Sequence, residues 1–228
     1  MTQPSISIVT VTRDRRRFIP HLIETITKQT IQKSELEWII LDDGNDAIGD
    51  LVRAVPYARY YYTSEKLTLG YKRNLGNYLS RGQYIFYFDD DNYAFPHRVE
   101  AGVFALLHAP KAMIVGSSDM FIYDRTLRAA YVAGPFGPNH ATLGTWGVRR
   151  PLLSQTRFDD FALRGEEVTF TAEWTIPIVQ VGRSNTSVCF DHGENTISKA
   201  HLAAQASELL ALEDVILDPQ SRDFFRSF

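Results

Sequence analysis

The apolar run Tyr84-Ile85-Phe86-Tyr87-Phe88 leads straight into three carboxylates, Asp89-Asp90-Asp91. A run that is apolar at every position suits a buried strand in a sheet covered on both faces. Its charged end must then open at the mouth of that strand, and three adjacent carboxylates repel one another. Desolvating them unpaired would cost several kcal/mol per ion, so a divalent cation with oxygen ligands, Mg2+ or Mn2+, is the natural compensation. Such an ion keeps open positions for water or a substrate phosphate, which points to phosphate-bearing substrates.

The rest of the first half repeats this pattern. Ile6 to Val11, Glu37 to Leu41 and Ala58 to Thr63 read as further strands. Between them, Phe18, Leu22, Ile23 and Ile26 recur at helical spacing, and Gly70 to Ser80 carries Tyr71, Leu75, Tyr78 and Leu79 on one side. This βαβα order predicts an α/β fold with a parallel sheet, in which ligands bind beyond the carboxyl ends of the strands. Three strand ends collect the polar residues: Thr10, Thr12, Arg13 and Asp14, then Asp42-Asp43-Gly44, then Asp89 to Asn92.

Further along, a helix is expected from about Arg98 to His108. Short strands follow at Met113 to Ser117, Met120 to Tyr123 and Ala129 to Val132, the last two as an antiparallel pair. Gly134 to Pro138 reads as a loop, Thr186 to Phe190 as a strand, Lys199 to Leu212 as a helix and Asp218 to Phe228 as a polar-aromatic tail.

Composition narrows the function. The chain has 228 residues, 44% hydrophobic and 22% charged, with a net charge of -3, and its basic residues are scattered apart from Arg13, Arg15, Arg16 and Arg17. That argues against nucleic-acid binding, which needs a basic stripe. The single Cys189 cannot form an internal disulfide. Met1 to Ser5 lacks the basic start and apolar core of a secretion signal, and no apolar run approaches the roughly 20 residues of a spanning helix. The expectation is a soluble, cytoplasmic protein without a transmembrane segment, with peripheral membrane contact or homodimerisation left open.

Read in order, Ser7-Ile8-Val9-Thr10-Val11-Thr12-Arg13-Asp14-Arg15, Trp38-Ile39-Ile40-Leu41-Asp42-Asp43-Gly44, Gly70-Tyr71-Lys72-Arg73-Asn74-Leu75-Gly76 and Gly82 to Asp91 strongly resemble the inverting glycosyltransferases of family 2. Phe158-Asp159-Asp160, Glu166-Glu167 and His192 continue the match. The resemblance implies the GT-A fold: a Rossmann-like, mostly parallel central sheet flanked by helices, with a small antiparallel sheet on the acceptor side. It also implies a donor-binding half over residues 1–95, an acceptor-binding and catalytic half over 96–200 and a C-terminal helix and tail over 201–228, all fused as one domain. The implied substrates are a nucleotide-sugar donor, UDP-sugar foremost, and a glycan, lipid-linked or protein acceptor.

Residue by residue, the resemblance assigns Asp42 to the nucleobase, although an Asp-Gly pair also suits a turn cap. Thr10, Thr12 and Arg13 fall on the donor-binding edge. Lys72 and Arg73, near the start of a helix, would face the diphosphate; an exposed helical arginine is the alternative for Arg73. Asp89 and Asp91 match the paired aspartates of the family, and alternation along an extended chain would send them the same way. Asp91 is the first choice for metal ligation, with Asp89 reaching the ribose or the metal, Asp90 between them, and His192 supplying an imidazole to the same Mn2+ or Mg2+.

For inversion, an acceptor hydroxyl must lose its proton as it attacks, which calls for a carboxylate within hydrogen-bond reach. The family presents a Glu-Asp pair, and this chain has Glu166-Glu167 instead. Adjacent helical residues diverge by about 100°, so one of them faces the sugar, and alignment chooses Glu167. Glu166, Asp159 and Asp160 remain rivals. Trp146 and Gly147 match the region that shapes the acceptor pocket, with a core position as the alternative for the indole, and the resemblance places Asp159 on the acceptor side as well. Two further readings stand beside transfer: a nucleotide-sugar-binding protein without turnover, and a sugar nucleotidyltransferase, which would need a glycine-rich phosphate loop that Thr12 to Arg17 lacks.

Overall fold

The computed structural model describes residues 5–195 and 199–228. Its strands are β1 (Ile6–Thr12), β2 (Leu36–Asp42), β3 (Ala58–Tyr62), β4 (Tyr84–Tyr87), β5 (Tyr93–Ala94), β6 (Ile114–Gly116), β7 (Met120–Asp124), β8 (Ala129–Ala133), β9 (Gly147–Arg149), β10 (Ile178–Gln180) and β11 (Ser187–Asp191). The helices are α1 (Ile19–Thr27), α2 (Gly49–Val52), α3 (Leu69–Leu79), α4 (Arg98–His108), α5 (Glu167–Phe170), α6 (Ala200–Ala203), α7 (Leu212–Val215) and α8 (Pro219–Arg226).

A seven-stranded sheet runs in the order β10-β6-β9-β4-β1-β2-β3. β1, β2, β3 and β4 are parallel, as the βαβα pattern requires, and β9 alone runs antiparallel to its neighbours β4 and β6. A second sheet, β5-β11-β7-β8, is antiparallel except where β11 lies parallel to β7. The period of two along each strand sorts side chains to the two faces of the large sheet. Ile8, Trp38, Ile40, Phe86 and Phe88 pack in one cluster with Ile19, Leu22 and Ile26 of α1. Val9, Ile39, Ile85 and Tyr87 face the other way, onto Trp146, Phe158 and Phe170.

Helix α3 lies close against the sheet. Thr68 caps it by accepting the Tyr71 N–H, and a Cβ at Gly76 would stand 2.4 Å from Val9 Cγ1, so only glycine lets the helix settle at this distance. Its N-terminal turn, which carries Lys72 and Arg73, is thereby held at the carboxyl ends of β1, β2 and β4.

The expected helix over Lys199 to Leu212 is not formed as one piece. α6 stops at Ala203, and Leu210 leaves helical geometry to exchange backbone hydrogen bonds with Ala130 at 2.7 and 2.9 Å, extending the small sheet. The tail, in contrast, is helical. Asp218 caps α8 by accepting from Ser221, and Pro219 occupies its first turn. No helix among the described residues is long and apolar enough to cross a membrane.

α8 docks Phe224 flat on His21, with ring centroids 4.2 Å apart and planes 3° from parallel. His21 is 4% exposed and neither ring nitrogen has a hydrogen-bond partner among the described residues, so burial pulls its pKa down to about 4. The unfolded chain binds this proton more tightly, so the stability contributed by the neutral ring is complete above pH 6.5 and is lost as pH falls toward 4. Between pH 7 and pH 5 the expected loss is about 2 kcal/mol. His21→Phe should keep the stack and abolish that acid limb. Urea unfolding at the two pH values checks this, and an unchanged pH dependence in the variant would refute it.

Candidate active site

The carboxyl ends of β1 and β4, the first turn of α3 and the segment leading into α5 surround a cleft of about 530 Å³. Asp89, Asp90 and Asp91 all line it. β4 ends at Tyr87, so the triplet lies in a turn and strand alternation does not govern its directions. Each carboxylate meets a different neighbour. Asp89 receives Asn92 Nδ2 at 3.1 Å and Arg73 Nη2 at 3.4 Å, Asp90 accepts the Thr12 hydroxyl, and Asp91 Oδ2 lies 3.1 Å from His192 Nε2.

Burial raises the pKa of Asp89, with Arg73 opposing and Asp91 adding to the rise. Burial and then the charge of Asp91 raise that of Asp90, against the Thr12 hydrogen bond. Arg73 and Arg98 act on Asp89, Arg15 on Asp90 and Lys199 on Asp91, yet burial outweighs them at Asp89 and Asp90, so the corner concentrates three carboxylates where water solvates them poorly. Oxygen-rich donors of this kind fit Mg2+ or Mn2+. Among the described residues no group of three or more His, Cys, Asp or Glu side chains is arranged to hold one ion. Such an ion would thus take part of its coordination from substrate phosphate and water, as Mg2+ commonly does.

Two buried cations form one wall. Lys72 Nζ is 2.7 Å from Asp43 Oδ1 and 3.4 Å from the Thr12 carbonyl. Arg73 Nε donates to Glu166 Oε1 at 2.7 Å. Burial works against the Arg73 charge, but Asp89 and Glu166 outweigh it and raise its pKa. The exposed-arginine alternative is therefore excluded. Arg13 is partly exposed at the rim, donating to the Asp43 carbonyl beside the carboxylates of Asp14 and Asp43.

On the opposite side, Glu166 and Glu167 separate sharply. Glu166 is 3% exposed and is tied to Arg73. Glu167 opens α5, lines the cleft and has no side-chain partner among the described residues. Burial raises its pKa, and the charges of Glu166 and Asp89 add to the effect. Its own backbone N–H and the charge of Arg73 oppose the rise without cancelling it. A half-buried carboxylate with a raised pKa and no side-chain partner is equipped to accept a proton.

Several expected contacts lie elsewhere. Thr10 is enclosed in β1, where its hydroxyl accepts from Trp38 Nε1 at 3.0 Å. Asp42 is also buried away from the cleft. It accepts the Gly44 and Ile48 N–H groups and the Tyr60 hydroxyl, at 2.9, 3.1 and 2.7 Å, and so acts as the turn cap rather than as an open acceptor for a base. Trp146 is a core residue: its Nε1 donates to the Ala141 carbonyl at 2.8 Å and its ring packs on Phe170 and Trp174, leaving no free face for a sugar. At Gly147, the Phe86 ring occupies the space of a Cβ. Asp159 is exposed and caps the Phe161 N–H, while Asp160 pairs with Asn74 and Arg157, and neither lines the cleft.

Sequence reasoning missed three contributors. Asp43 joins Lys72, Arg13 and the Leu67 N–H at one point, and its place beside Asp42 at the end of β2 was the available signal. Gly144 faces Asp89, where a Cβ would stand 2.6 Å from Oδ2, and its place two residues before Trp146 was the available signal. Arg98 lies buried beneath the triplet, donating to the Tyr87 carbonyl with its guanidinium 4.0 Å from the Phe88 ring centroid. Nothing in the local sequence distinguishes it from a surface helical arginine.

Residues 7–156 match the family model described as glycosyl transferase family 2. The chain belongs to that family. No curated protein matches the sequence of this family 2 glycosyltransferase. Among solved structures, S. aureus TarS 1-349 in complex with UDP-GlcNAc is similar, with a TM-score of 0.68 at 14% identity, covering 97% of this chain and 70% of that one. The complex of TarS 1-349 with UDP gives 0.66 at 16%, over 97% and 69%. The mannosyltransferase PcManGT from Pyrobaculum calidifontis, in complex with GDP-Man and Mn2+, gives 0.65 at 13%, over 90% of this chain and 60% of that one. At these identities the likeness shows the fold, which is GT-A.

Proposed function

We propose that this glycosyltransferase is a metal-dependent, inverting enzyme that moves a sugar from a nucleoside diphosphate, UDP foremost, to a hydroxyl on a glycan, lipid-linked or protein acceptor. The observation that carries the reading is the carboxylate of Glu167, which has no side-chain partner among the described residues and lines the same cleft as the buried triplet Asp89 to Asp91. Residues 1–95 would bind the donor and residues 96–200 the acceptor.

In this reading Glu167 accepts the proton of the acceptor hydroxyl, whose oxygen attacks the anomeric carbon from the face opposite the diphosphate. The bond from that carbon to the diphosphate oxygen breaks as the new one forms, and a single displacement inverts the centre. Asp91 and Asp89 would hold Mn2+ or Mg2+, which when bound supplies Lewis-acid neutralisation of the departing diphosphate. Arg73 keeps Glu166 neutralised beside the base and fixes Asp89, so Glu167 remains the carboxylate free to act. UDP is favoured by the family resemblance and by its presence in the TarS complexes, while PcManGT carries GDP-Man.

Thermal unfolding with UDP, GDP and their sugars, each with Mn2+ or with chelator, tests the assignment. A ligand at 100 times its Kd adds about 2.7 kcal/mol, which corresponds to roughly 5–10 °C for a chain of this size. The shift is expected for UDP only when the metal is present. Failure of every nucleoside diphosphate to shift the midpoint would overturn the proposal, and binding without turnover would favour a nucleotide-sugar-binding protein instead.

A further inference from the structure

His192 follows β11 with its imidazole fully enclosed, and both ring nitrogens are engaged. Nδ1 accepts the backbone N–H of Glu194 at 3.3 Å, and Nε2 lies 3.1 Å from Asp91 Oδ2. A ring nitrogen that accepts an N–H carries no proton, so the neutral ring keeps its hydrogen on Nε2, directed at Asp91. A metal-ligating imidazole has the opposite arrangement: one nitrogen offers its lone pair to the ion while the other donates its N–H to a carboxylate or carbonyl. If Nε2 of His192 took a cation while Nδ1 still accepted from Glu194, the ring would have to be an anion.

Glu194 has further partners on both its main chain and its side chain. Arg15 Nη2 donates to its carbonyl at 2.8 Å and Arg17 Nη2 to its carboxylate at 2.6 Å. The Arg17 guanidinium lies over the rings of Phe18 and Phe228, and Phe18 stands against the imidazole with centroids 4.8 Å apart. Asn195 supports the same arrangement, accepting the His192 N–H at 3.0 Å and placing its Nδ2 3.5 Å from Asp91 Oδ2. Oδ2 of Asp91 thus receives two donors, while no side chain among the described residues bonds Oδ1.

We propose that His192 is a positioning residue and not a metal ligand: its Nε2–H holds Asp91 Oδ2 so that Oδ1 is the oxygen presented to the divalent cation. This rests on the reading that the acidic triplet takes a cation together with the donor diphosphate.

Nitrogen-15 NMR of the metal-free chain, with the His192 signals identified by their loss in His192→Gln, should show the Nε2-protonated tautomer. Pulsed EPR of the chain with Mn2+ and UDP should show no directly bound imidazole nitrogen. His192→Gln can donate a similar N–H and should hold Mn2+ within about threefold of the native affinity, whereas His192→Ala should weaken it roughly 10- to 100-fold. An Nδ1-protonated ring, or an imidazole coupling to Mn2+ that vanishes in His192→Gln, overturns the proposal. Absence of any Mn2+ binding alongside the expected tautomer would instead overturn the cation reading, and the presentation of Oδ1 with it.

Discussion

Glu167→Gln is expected to slow sugar transfer about a hundredfold to ten-thousandfold, the usual contribution of a positioned general base. The amide matches the carboxylate in shape and Glu167 has no side-chain partner among the described residues, so stability and UDP affinity should stay close to native. The loss should then fall on kcat rather than on KM, marking an interaction made in the transition state. The pH profile supplies an independent sign. The base must be ionised to act, and burial with the nearby charges of Glu166 and Asp89 raises its pKa, so the acid limb of kcat/KM should lie above the range of an ordinary glutamate. Activity should rise with pH through that limb. Native turnover by Glu167→Gln would remove the assignment. Loss of the acid limb in Glu166→Gln instead would move the base one residue back.

The parts of this fold that were legible are those whose signal is local. β1, β2 and β4 each carry long apolar runs, and the polar residues that end them converge because parallel strands share a carboxyl edge. β9 carries no such signal, because Gly147–Arg149 is too short for any period and its place between β4 and β6 is decided by pairing across long stretches of chain. The broken helix after Lys199 failed for a related reason: leucines at helical spacing favour a helix, but pairing of Leu210 with Ala130 prevails. α8 could have been foreseen, since Asp218-Pro219 followed by Ser221 is a helix start written in sequence. Within the cleft, residue types were legible and their partners were not. The separation of Glu166 from Glu167 depends on Arg73, 93 positions away, and only the folded chain shows which carboxylate that guanidinium takes.

That same contact sets the largest expected effect on stability. Arg73→Met keeps much of the aliphatic stem but strands Glu166, which is 3% exposed and bonded to the guanidinium at 2.7 Å. Breaking a buried ion pair from one side leaves an uncompensated charge and costs about 3–5 kcal/mol, which for a chain of this length lowers Tm by roughly 6–20 °C. Asp89 loses its neighbour at 3.4 Å as well, so its already raised pKa should climb further. Glu166→Gln alone should cost less, because Arg73 keeps Asp89 as a counter-charge. In the Arg73→Met background, Glu166→Gln should recover part of the loss, since a neutral amide no longer demands a cation. The four stabilities form a double-mutant cycle that isolates the coupling. Equal losses in Arg73→Met and in the double variant would show that the cost lies in packing around the guanidinium and not in the stranded charge.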